Sequence, residues 1–337
     1  MIIKLLLIIF LIYIIFYCLN ILLKPLEHMK MMNTRLVDTF EKNGYEINVD
    51  NYTIKKCNNN TCIQKNYESI DFNDETSHYI SKNKHLSNTI FLKNLIPTPI
   101  HVIIDHKNKD EYLKKSIIFP CVLKPIDGMQ GRDVYTFIKN KEQFNKILLR
   151  LLNIYDHVLM ENQVYGKNYR IFIFNNQVMD IIEREQPYII GDDKHTIEQL
   201  INIKNENQLK ANLYPIQKID KELIKEQNCN MNTILHNNQK VYITNTINFH
   251  NGANPIRINL NKVPIENINM FIHAHRLIGL ECSGIDYMSN DIYIPYYKNN
   301  GHIIEINDMV DTQIHVDADN KKDPNYLFNN IVKSFEL

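Results

Sequence analysis

The chain has 337 residues, long enough for two or three packed subdomains. Its 38 basic residues balance 38 acidic ones, which excludes a global field favouring nucleic acid. Tryptophan is absent while Asn, Ile, Lys and Tyr abound, a bias of base composition rather than of function.

Residues 5–23, LLLIIFLIYIIFYCLNILL, carry no charge. A run of that length can cross a bilayer, and the small-residue cleavage site of a signal peptide is missing. A transmembrane anchor is therefore expected at 4–23. Lys24, Lys30 and Arg35 follow it, so the basic flank assigns its C-terminal side to the cytosol.

Residues 24–78 are polar, and the pattern predicts a juxtamembrane helix near 25–43 and then a small strand-and-loop unit. Two sequons, at Asn51 and Asn59, make the topology testable. The six cysteines form no convincing framework, and reduced thiols are the expectation. Cys57 and Cys62 lie in an Asn-rich loop, Cys229 in a polar stretch, and Cys121 and Cys282 in apolar surroundings.

Helical spacing of Leu86, Ile90 and Leu95 predicts a helix over 84–95, ended by Pro97 and Pro99. His101 to Ile104 reads as a strand. The stretch FPCVLKPIDGMQGRDVYTFI, 119–138, reads as a buried strand ending at Lys124, a turn with Gly128 and Gly131, and a second strand. Glycines in such a turn allow the backbone to approach an anion, although a plain hairpin has the same appearance. A second helix is predicted at 141–152 and a strand at 156–164. Two strands meet at Asn175 and Asn176, which suit a tight turn. A helix from Thr196, a longer one over 264–280 and strands at 283–288 and 302–306 complete an α+β pattern.

Six segments, in order, resemble the ATP-grasp superfamily, in particular its cyanophycin-synthetase and bacterial glutathione-synthetase branches. They are Asn83-Lys84, VLKPIDGMQGRDV (122–134), VLMENQVYGKNYRIFIFNNQV (158–178), EREQPYIIGDDKHTIEQLI (183–201), GLECSGIDY (279–287) and IIEINDM (303–309). The resemblance implies two α+β lobes with ATP between them, at 79–164 and 165–337. It implies ATP and Mg²⁺ as cofactors, and carboxylate and amine substrates joined through an acyl phosphate. Membrane attachment would come from the N-terminal run, no nucleic-acid partner is implied, and self-association is left open.

Residue by residue, the resemblance places Lys84, Lys124 and the turn glycines Gly128 and Gly131 at phosphate, and Glu161 to Val164 at adenine. Arg170 approaches phosphate, and Arg184 with Lys124 takes the catalytic role. Asp286, Glu305 and Asn307 match the magnesium ligands, hard oxygens that suit the ion. Glu305 and Asn307 stand two apart on an apolar strand, hence on one face.

The pattern also departs from the family. Asp133 stands where relatives have a further glycine, HNGA (250–253) where they have a TGG-like loop, and Asp308 to Asp311 where they often have a Pro-Gly turn. Such changes would suit the rival reading, an inert nucleotide-binding platform, which the retained Lys124, Asp286, Glu305 and Asn307 oppose.

Overall fold

The computed structural model describes residues 39–48, 53–58, 61–66, 72–128, 131–211, 213–308, 310, 312–318 and 326–334. The predicted anchor at 4–23 and most of the juxtamembrane helix lie outside these, although 39–42 are helical. No helix among the described residues is long and apolar enough to cross a membrane.

Four antiparallel sheets organise the described residues. Strands β1 (Glu46–Asn48), β2 (Thr53–Asn58) and β3 (Thr61–Asn66) make a small N-terminal sheet. Strands β4 (His101–Asp105), β5 (Cys121–Pro125), β6 (Tyr135–Ile138) and β7 (His157–Asn162) form the second, in the order β4-β7-β5-β6. β8 (Lys167–Phe174) and β9 (Gln177–Glu185) begin the third. β10 (Tyr188–Ile190) and β11 (Lys240–Tyr242) pair apart from it. The five-stranded sheet then runs β12-β9-β8-β13-β14 through β12 (Asn254–Arg257), β13 (Cys282–Ser289) and β14 (His302–Asn307).

The helices are α1 (Glu75–Lys82), α2 (Lys84–Lys93), α3 (Lys109–Lys114), α4 (Lys141–Leu152), α5 (Ile197–Lys210), α6 (Lys221–Glu226), α7 (Ile265–Ile278), α8 (Gln313–Asp317) and α9 (Tyr326–Lys333). Local chemistry sets several of their ends. Asn140 caps α4, which buries Phe144, Leu148, Leu151 and Leu152 on one stripe against the four-stranded sheet. Thr196 and Gln199 form a reciprocal capping box on α5, which fixes the predicted start of that helix. Gly279, at φ +83°, ends α7 in the left-handed conformation.

Helix α2 packs on the five-stranded sheet rather than on the four-stranded one. Phe91 joins Phe271 of α7 and the strand residues Tyr169, Ile171, Ile285, Tyr287 and Ile303 in one core. Burying each such aromatic contributes about 2–3 kcal/mol. At the level of the sheets, the chain passes from one lobe to the other near residue 100.

The opposite face of the five-stranded sheet is apolar at one end and charged at the other. Phe172, Phe174, Met179 and Cys282 pack there with Phe40, Tyr45, Ile54 and Phe328, which bring in the N-terminal unit and α9. Asn73 locks the entry to α1. Its side-chain nitrogen donates to the carbonyls of Cys282 and Asp308, each at 2.9 Å. Its oxygen accepts from the amides of Glu281 and Cys282.

The cysteines correct two expectations. Cys57 is disulfide-bonded, and its register partner across the β2–β3 hairpin is Cys62. Cys57 thus carries a disulfide where sequence spacing alone suggested a free thiol. Cys229 is buried in the core beneath α5 and α6, because its polar neighbours point outward. Cys121, Cys229 and Cys282 are free.

Candidate active site

The charged half of the large sheet is a set of register rows. Arg257, Ile182, Arg170, Asp286 and Glu305 are successive partners across β12, β9, β8, β13 and β14. Residues two apart on a strand share a face, so Arg184, Asp180 and Asn307 stand on the same surface. The candidates Arg170, Arg184, Asp286, Glu305 and Asn307 thus converge, although their sequence numbers span the C-terminal half of the chain.

Asp286 is the centre of this face. Its Oδ1 accepts from Arg170 Nη1 at 2.7 Å and its Oδ2 from Arg184 Nη2 at 2.8 Å. Burial alone would push its carboxyl upward. The two guanidinium groups outweigh that and hold it near a pKa of about 2. Arg184 Nε donates to Asn168 Oδ1 at 2.6 Å, and the guanidinium lies 5.8 Å from the centre of the Phe249 ring. Gly284 makes room for Arg170: a Cβ there would come within 2.5 Å of the guanidinium carbon.

Beside them, Asn307 Nδ2 donates to Glu305 Oε1 at 3.2 Å. Asp286, Glu305 and Asn307 carry hard oxygens of the kind Mg²⁺ takes, although both oxygens of Asp286 are held by the two arginines here. Two of the three are carboxylates and the third is an amide. Among the described residues, no group of three or more His, Cys, Asp or Glu side chains is arranged to hold a metal. Asp286, Glu305 and Asn307 are the residues that would hold such an ion, which would supply positive charge at this face.

Lys84 joins the two sheets. Its ammonium donates to the Gly128 carbonyl at 2.5 Å and lies 3.8 Å from Glu305. Lys84 therefore links the Gly128 carbonyl to the Glu305 carboxylate of β14. Gly131, at φ +68°, has the left-handed backbone that glycine favours. A Cβ at Gly131 would lie 3.6 Å from Asn248 Nδ2, so the turn reaches the 248–253 loop. Asp133, which replaces a family glycine, also sits at positive φ, +54°. Aspartate tolerates that region, and Tyr155 holds its carboxylate through a 2.8 Å hydrogen bond.

Lys124 and Glu161 are placed differently from Lys84. Both are buried, and their charges meet at 2.7 Å. Asn88 donates to the other oxygen of Glu161 at 3.3 Å. Glu161 lies directly opposite Val122 of β5 and His101 of β4. The Glu161 side chain is thus committed to Lys124 and Asn88 rather than being a free acid at the adenine edge. Val164 is buried just beyond, with its carbonyl taken by the Gln163 side-chain amide at 2.8 Å.

Sequence reasoning did not single out Asn168, Gly284, Phe249, Asp180 or His315. Asp180 carried a signal, since a carboxylate inside the apolar run VMDII must be paired if buried.

The comparisons with known proteins agree with this architecture. Residues 81–188 match the RimK-like ATP-grasp domain. The chain is 30% identical over 209 residues to a cyanophycin synthetase of Crocosphaera subtropica, covering 59% of the chain and 24% of the relative. It is 28% identical over 204 residues to the glutathione biosynthesis bifunctional protein of Desulfotalea psychrophila, covering 58% and 26%. The chain matches about a quarter of the length of these relatives. In structure it is similar to a bifunctional glutathione synthetase from Pasteurella multocida, with a TM-score of 0.55 and 19% identity over 87% of this chain and 42% of that one. Residues 81–188 thus match a RimK-like ATP-grasp domain, and the described chain shares its fold with a bifunctional glutathione synthetase.

Proposed function

We propose that the protein is an ATP- and Mg²⁺-dependent ligase that joins a carboxylate to an amine through an acyl phosphate. The observation that carries this reading is the convergence of Arg170, Arg184, Asp286, Glu305 and Asn307 on one sheet face under the glycine turn held by Lys84. Carboxylate oxygen is a poor leaving group, and phosphorylation makes it a good one. The protein's task is to place the reactants and neutralise the transferring phosphoryl oxygens.

Lys84 and the turn amides around Gly128 and Gly131 face the phosphates. Arg184 and Arg170 present planar forks suited to the phosphoryl group and the reacting carboxylate. Asp286, Glu305 and Asn307 would hold the ion, which supplies positive charge at the oxygens being transferred. The buried Lys124–Glu161 pair ties β5, which leads into the turn, to β7.

The test is incubation of the full chain with ATP, Mg²⁺ and a pooled metabolite extract, read by mass spectrometry. ADP should appear together with a new amide. ADP with a phosphorylated non-carboxylate product would replace the ligase reading with phosphoryl transfer. No ADP under any condition would leave an inert platform.

The membrane anchor at 4–23 and a cytosol-facing catalytic domain belong to the same proposal. ATP supply and the basic flank support that side. The Asn51 and Asn59 sequons and the Cys57 disulfide suit an oxidising compartment instead. Glycan attached at either sequon in a eukaryotic host would place the domain on the other side.

A further inference from the structure

Helix α2 is fastened to both large sheets. Phe91, near its C-terminal end, lies in the core of the five-stranded sheet. Its first turns reach the four-stranded one. Lys84 Nζ donates to the Gly128 carbonyl beyond β5. Asn88 donates to Glu161 of β7 at 3.3 Å and accepts from Thr98 at 3.2 Å. Between these two residues stands His85. Its Nδ1 meets Nε2 of His101, on β4, at 3.0 Å, with the ring planes 78° apart. The chemistry proposed above makes no use of this pair.

A hydrogen bond between two imidazoles needs one proton between the facing nitrogens. The two outer nitrogens are then His85 Nε2 and His101 Nδ1. In the neutral pair only one of them carries a proton, and it can be His85 Nε2. In the singly charged pair both must carry one. His101 Nδ1 is buried and has no partner among the described residues. Charging the pair with its bond intact therefore creates a buried cationic N–H without an acceptor, which is costly.

The surrounding charges do not relieve this. Glu161 lies directly opposite His101 on β7, but Lys124 of β5 already neutralises it at 2.7 Å. On α2, Lys84 precedes His85 and is 3.8 Å from Glu305 of β14. Burial, and then His101, hold His85 below its ordinary value of 6.5. The unfolded chain takes the proton first, so the contact is complete above that value and weakens as pH falls below it.

We infer that the His85–His101 contact is an acid-labile tie, which holds α2 and the adjoining Lys84 to the four-stranded sheet and releases when the pair takes up a proton. The tie itself does not rest on the ligase reading; its effect on nucleotide, through Lys84, does.

The experiment compares the full chain as wild type, His85→Gln, His101→Gln and His101→Phe at pH 8 and pH 5. Glutamine has a donor and an acceptor that do not titrate, so either Gln variant keeps a bond at both values, and phenylalanine keeps none. Nitrogen-15 spectra of ring-labelled histidines locate the protons, and the variants assign the signals. Wild type at pH 8 should carry the His101 proton on Nε2. Hydrogen exchange of peptides covering 84–93 and 101–105 is corrected for the intrinsic rate at each pH. It should rise at least tenfold on acidification in wild type and less than twofold in both Gln variants. His101→Phe should exchange fast at either pH. A non-hydrolysable ATP analogue should lose at least fivefold more affinity on acidification with wild type than with His85→Gln. Its own phosphates titrate alike in both mixtures, so the difference belongs to the protein.

A proton on His101 Nδ1 at pH 8, full protection in His101→Phe, or one and the same acid response in wild type and the Gln variants would overturn the tie. If one Gln variant does not fold, the other decides by the same exchange. An acid-labile tie in a chain that binds no analogue at either pH would keep the tie and defeat the ligase reading. Equal loss of affinity in wild type and His85→Gln would overturn the effect on nucleotide.

Discussion

Arg184 holds one oxygen of Asp286 at 2.8 Å while Arg170 holds the other at 2.7 Å, so the central carboxylate is wholly engaged by guanidinium groups. A metal ion reaching Asp286 would have to share it with, or displace, these two groups. The same two arginines would then be available for a substrate anion. The pairing also makes Asp286 a structural residue, which leads to the first prediction.

Asp286→Asn should lower stability at pH 7 by about 3 kcal/mol, because two buried cations lose their counter-charge. The sign with pH follows from the depressed carboxyl of Asp286, about 2 in the folded protein against an ordinary 3.8. The unfolded chain takes up the proton first, so the stabilisation is present above the ordinary value and is lost as pH falls through about 2. Urea midpoints of wild type and variant should therefore converge as pH is lowered from 7 towards 3. A constant gap would remove Asp286 from the cause.

Glu305→Gln keeps the size and one oxygen of the side chain and removes its charge. It should lower Mg²⁺-dependent ADP release by at least about a hundredfold, the scale of losing one electrostatic contact to a transferring group. The melting temperature should stay close to wild type, since Glu305 is only part-buried. Turnover equal to wild type in a folded variant would end the metal assignment.

Lys124 and Glu161 allow stability to be separated from nucleotide binding. Lys124→Met alone leaves a buried carboxylate unpaired and should cost about 3–5 kcal/mol. Adding Glu161→Met should recover most of that loss. If Lys124 also contacts phosphate, the double variant will be stable yet bind ATP at least tenfold more weakly. Stability and affinity recovering together would make the pair purely structural.

Asn73→Ala removes four hydrogen bonds between the approach to α1 and Glu281, Cys282 and Asp308. It leaves buried carbonyls and amides without partners, and the expected loss is about 3 kcal/mol. Chemical denaturation measures it. ATP affinity should change less than twofold.

Replacing 250–257 by the corresponding segment of a cyanophycin synthetase should alter acceptor choice. ATP affinity should fall by less than tenfold, about 1.4 kcal/mol. A larger loss would place the segment at the nucleotide.

Much of the fold was legible because period and punctuation are local. The spacing of Phe144, Leu148 and Leu152 in α4, the Asn175–Asn176 turn at positive φ, and Pro264 and Gly279 bracketing α7 can each be read within a few residues. The same is true of Glu305 and Asn307, which strand alternation alone puts on one face.

Pairing across distance was not legible in this way. Nothing in the spacing shows that Glu161 is spent on Lys124, that Asn73 clamps Cys282 and Asp308, or that Cys57 is disulfide-bonded. Sequence by itself determined the elements, their order and the residue types available for phosphate and metal chemistry, because these follow from local propensity and side-chain inventory. Only the tertiary structure decided which charges neutralise one another. It set the register row from Arg257 to Glu305 and closed Asp180 between Arg257 and His315. The physical reason is that a buried charge must find its partner in space, and strand register brings together residues that chain order keeps far apart.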